Sequence, residues 1–74
     1  MDEPIDKRWR NVYARVSAFD DDSTRFEIHV NPAFDVVLSC VIIADNQELD
    51  DCSEFYGYVL TKMIDKLDAQ ITRL

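Results

Sequence analysis

One histidine, two cysteines and fifteen carboxylates are the side chains of this 74-residue chain with the most obvious capacity for chemistry. His29 has the free pKa, near 6.5, of a general base or a metal ligand. Either role needs a second group, and the alternation around His29 predicts the polar face of a strand. Cys40 and Cys52 are twelve positions apart, with no Cys-x-x-Cys and no second histidine, so a structural zinc site lacks ligands at its usual spacings. A Cys40–Cys52 bridge is the alternative use of the pair. Two cysteines in a chain with nothing secretory before them are expected as reduced thiols. The run Asp20-Asp21-Asp22-Ser23-Thr24 invites a calcium reading. A calcium loop of the EF-hand type alternates its acids around a central glycine and closes on a glutamate at its twelfth position. Here the acids are consecutive, glycine is absent, and the twelfth position from Asp20 is Asn31, which is the composition of a charged turn. Nothing places two carboxylates in a water-poor cleft, as acid–base catalysis requires. Nucleophile elbows, phosphate-cradling glycine loops and dinucleotide fingerprints are absent. The expectation is a protein that is not an enzyme and holds no cofactor and no metal.

Binding chemistry has more to work with. Fifteen acidic against eight basic residues give a net charge of −7. That balance repels nucleic acid and anionic membranes and favours basic partners. Asp45, Glu48, Asp50, Asp51 and Glu54 fall within ten residues, and an array of carboxylates can imitate a phosphate backbone. Phe55 and Tyr58 follow directly. They point away from the apolar line of the helix that contains them, so they read as protein-binding aromatics beside an acidic patch. Lys7-Arg8-Trp9-Arg10 is the one compact basic and aromatic patch. Arg8, Trp9 and Arg10 could touch nucleic acid, with cations on phosphates and the indole on a base; the net charge opposes it.

Hydropathy periodicity sets out the elements that carry these groups. The C-terminal run is the clearest. Tyr56, Leu60, Met63, Leu67, Ile71 and Leu74 recur at spacings of four or three, widened by Val59 and Ile64, which predicts one amphipathic helix over about 51–73. Asp51 and Glu54 fit a capping box at its start. Val12, Ala14, Val16 and Ala18 alternate with Tyr13, Arg15, Ser17 and Phe19, and Phe26, Ile28 and Val30 alternate with Arg25, Glu27, His29 and Asn31. With the Asp20–Thr24 turn between them, these runs predict a β-hairpin over about 9–19 and 25–31. Residues 34–44 read as a third strand by the propensity of Val36, Val37, Val41, Ile42 and Ile43. Asn31-Pro32 as an N-cap and first turn keeps a short helix as the alternative. As a strand, this segment is apolar on both sides, and one helix covers only one of them. Val37, Val41 and Ile43 are therefore expected at an interface with a second copy or a target. Residues 45–50 form an acidic connector, and residues 1–7 a loose lead-in.

At 74 residues the chain is expected to be one α+β domain with a thin core, for which dimerisation is a natural source of further stability. Met1-Asp2-Glu3-Pro4 has no signal-peptide character, and no apolar run approaches the ~20 residues of a membrane span, so a cytoplasmic protein is expected. In size, acidity and lack of catalytic residues the chain is similar to small phage-encoded inhibitors of bacterial defence systems, including anti-CRISPR proteins and DNA mimics. The likeness is one of general character. It implies a protein acting in the host cytoplasm that sterically blocks a basic site on a larger partner, one that handles nucleic acid. A homo-oligomeric assembly module built on residues 34–44 is the alternative, and a small regulator touching nucleic acid through Arg8-Trp9-Arg10 is the third reading.

Overall fold

Five elements follow one another in the computed structural model, which describes residues 8–74: strands β1 (Tyr13–Ala18), β2 (Ser23–Ala33) and β3 (Val36–Asp45), a short helix α1 (Asn46–Asp51) and a long helix α2 (Glu54–Thr72). The fold is α+β: a three-stranded antiparallel sheet in the order β1-β2-β3 with the C-terminal helix packed on it. The reading of residues 1–7 as a lead-in lies outside the described residues.

Residues 34–44 are resolved in favour of the strand. Their apolar run pairs along β2, with Phe26 opposite Ile42, Ile28 opposite Cys40 and Val30 opposite Leu38. Phe34 is not part of it. Phe34 and Asp35 form the turn between Ala33 and Val36, and Phe34 is 95% exposed at its tip. Asn31-Pro32 does not start a helix. Proline, which has no N–H for a ladder, sits where the β2–β3 register slips between Val30 and Ala33. The Asn31 side-chain amide donates to the carbonyls of Ala33 and Val36 and so closes the hairpin around that irregularity.

Because side chains alternate along a strand, the register sorts the sheet into two faces. Phe26, Ile28 and Val30 of β2 and Cys40 and Ala44 of β3 form the inner face, buried under α2. Val59, Met63, Leu67 and Ile71, each four residues after the last, are the buried row of α2, and the last three are fully enclosed. Each such side chain contributes about 2 kcal/mol of hydrophobic burial. This row is offset from the expected stripe: Tyr56, Leu60 and Ile64 stay exposed. The reason is where the helix sits. α2 packs on β3 and β2 and scarcely meets β1, so only one row reaches the core. For the same reason Val16, on the helix side of β1 by its pairing with Phe26, remains 56% exposed.

Residues 45–50 are not a plain connector. They form the turn of helix α1, whose N-cap Asp45 accepts from Gln47 N–H at 3.0 Å and whose Leu49 is buried in the core. The expected capping box is not made either. Asp51 ends α1, and α2 begins after Ser53, which makes no side-chain cap. The chain before β1 is tied to the far end of α2. Trp9 Nε1 donates to Asp68 Oδ1 at 3.2 Å, and an Arg8 guanidinium N–H donates to the Ile71 carbonyl at 2.7 Å. A cation there also suits the negative end of the helix dipole.

Candidate protein-docking surface

Two sequence-predicted sets stay separate in the fold: the acidic-aromatic group lies on the helix layer, and the apolar outer residues of β3 lie on the sheet face turned away from α2. The acidic set lies along α1 and the first residue of α2. Glu48, Asp50, Asp51 and Glu54 are all exposed, while Asp45 is engaged as the cap of α1. Phe55 and Tyr58 stack beside them, ring centroids 5.8 Å apart and 19° between planes, with the Lys62 ammonium 5.7 Å from the Tyr58 ring centre. Phe55 is half-buried against the core and Tyr58 is exposed. With Cys52 and Glu54 they line a shallow open hollow.

The helix wheel sets this stack on the β3 side. Residues four apart share a ridge of a helix. The ridge Tyr56–Leu60–Ile64–Asp68 faces β1: Asp68 bonds Trp9, just before β1, and the Tyr56 ring meets Phe26 edge-on at 5.7 Å. The ridge Tyr58–Lys62–Lys66 lies across the buried row from it, toward β3.

β3 presents two surfaces of its own. Val37, Val41 and Ile43 project from the outer face, 68%, 43% and 43% exposed. Their backbone is the second. Asn46 N–H donates to Asp22 C=O, one rung beyond the Ser23–Asp45 pair. In an antiparallel ladder the bonding pairs alternate. Leu38, Cys40, Ile42 and Ala44 therefore bond β2, and Val37, Ser39, Val41 and Ile43 turn their N–H and C=O to the open edge.

The outer face of β2 is polar. His29 Nδ1 lies 2.7 Å from Ser39 Oγ and His29 Nε2 3.1 Å from Glu27 Oε1, with the ring stacked on Tyr13 at 5.9 Å. Arg25 Nε stands 3.5 Å from Glu27 Oε2. The His29 hydrogen bond, with the nearby Arg25 and Arg15 charges, holds the Glu27 carboxyl below its ordinary pKa. His29 is thus committed to its neighbours in the sheet. Cys40 is a buried thiol and Cys52 an exposed one. Among the described residues no group of three or more His, Cys, Asp or Glu side chains could hold a metal ion, and no helix is long and apolar enough to cross a membrane.

Of the basic patch, Arg8 and Trp9 are spent on α2, and Arg10 is exposed. Sequence reasoning missed Phe34 as a surface aromatic. The signal was there in Ala33-Phe34-Asp35-Val36, a two-residue gap between apolar runs, but the competing helix reading of Asn31-Pro32 obscured it. No protein-family model matches the chain, and no curated protein or solved structure matches it.

Proposed function

We propose that this chain is a non-enzymatic binding protein that docks on a basic site of a larger partner, one that handles nucleic acid, and blocks it sterically. The observation that carries the reading is the Phe55–Tyr58 stack, seated against the core yet open to solvent beside Glu54, with Glu48, Asp50 and Asp51 exposed on the helix just before it. The carboxylates would speed encounter with a basic surface, and the aromatics would slow release.

The test is capture of partners from a bacterial lysate on the immobilised chain at low and high salt, beside an Asp50→Lys/Asp51→Lys variant. The reading expects a stoichiometric partner that is lost at high salt, with the variant's on-rate down roughly tenfold or more at low salt. Equal on-rates for the two proteins would refute the electrostatic part.

Self-assembly is a second reading, supported by the exposed apolar positions Val37, Val41 and Ile43 on a strand with an open edge.

A further inference from the structure

The two edges of the sheet differ. β1 is six residues long, carries Arg15, and follows a kink at Asn11, whose φ is +54°. Short length, charge and kinks are the features that keep edge strands from pairing with other chains. β3 has none of them. It runs ten residues from Val36 to Asp45, and before Asp45 it holds no charge and no proline. Four of its residues aim outward N–H and C=O groups that have no partner among the described residues. Only another strand satisfies such a row in full.

We infer that the occupant is a second copy of this chain, pairing β3 antiparallel with β3 about a two-fold axis at Val41 to make one continuous six-stranded sheet. This deepens the self-assembly reading and rests on it. Three features favour a copy in this register. The edge-facing residues are the odd-numbered ones, so the bonding pairs are Val41 with Val41 and Ser39 with Ile43, and each supplies what the other lacks; Val37 stands opposite Asp45, the cap of α1. Apolar or neutral residues meet at every rung from Ser39 to Ile43, the one carboxylate, Asp45, faces Val37, and no like charges stand opposite one another. A two-fold centred on Cys40 instead would set Asp35 against Asp45, which cross-strand repulsion disfavours. Finally, α2 runs back along β3 from its Asp45 end. The two-fold therefore brings the Lys66 end of one copy's α2 alongside the acidic Glu54 end of the other's.

The test is light scattering with sedimentation equilibrium of the full chain from micromolar to millimolar concentration. The native chain is expected to be a dimer. Val41→Pro removes an N–H that β2 does not use, so it should stay folded by circular dichroism and weaken the dimer about 100-fold, through two central hydrogen bonds. Val41→Glu and Val41→Lys, at an exposed position, should each be monomeric because like charges oppose at the axis. An equimolar mixture of the two should dimerise. A native chain that stays monomeric at every concentration, or a Val41→Pro variant that dimerises like the native chain, would overturn the proposal. A mixture that stays monomeric would overturn the register. Asp50→Lys/Asp51→Lys should leave dimerisation unchanged, so failure here is distinct from failure of the partner-docking reading.

Discussion

Glu27 sits mid-sheet on the outer face, between His29 and Arg25 and opposite Arg15. Its carboxyl is held below the ordinary value of 4.5 by the His29 hydrogen bond first and by Arg25 and Arg15 after it. A carboxyl whose pKa is lower folded than unfolded stabilises the fold above its unfolded pKa. That contribution disappears as pH falls through the folded pKa. Glu27→Gln should therefore flatten the loss of thermal stability between roughly pH 6 and pH 3, read as melting temperature against pH. Identical slopes for the two proteins would contradict the assignment. The outward position of Glu27 and His29 was legible from alternation alone. Their mutual contact was not: they are two apart on one strand and meet through side-chain reach, which spacing does not specify. Trp9 shows the same limit, since its bond to Asp68 spans 59 residues of sequence.

At the scale of elements, α2 shows what periodicity can and cannot say. The 3.6-residue period is plain in the sequence, but it puts Tyr56 and Leu60 on the main stripe and Val59 and Ile64 only at its margins. The choice between them depends on which strands the helix covers, a tertiary fact. Helix α1 was hidden for a different reason: one turn is too short for a period, and its sole buried contact is Leu49. Gly57 lies inside α2 with open space where a Cβ would stand. Gly57→Ala should therefore stabilise the protein by about 0.5–1 kcal/mol, a rise of several degrees in melting temperature, by removing backbone freedom from the unfolded chain. An unchanged or lower melting temperature would contradict that account of Gly57.

The molecule as a whole has one face closed by its helix and one edge left open. Sequence showed that β3 is apolar on both sides, hence that one side lacks cover. Which backbone groups face outward follows only from the register, and that register is the centre of this account. Amide hydrogen exchange tests it most directly, residue by residue on the native chain across a range of concentrations. Cys40 and Ile42, bonded to β2, should be protected at every concentration. Ser39, Val41 and Ile43 should exchange fast when dilute and become protected as the chain self-associates. Protection of Val41 and Ile43 in the dilute monomer, with Cys40 and Ile42 unprotected, would contradict the open edge and every interface built on it.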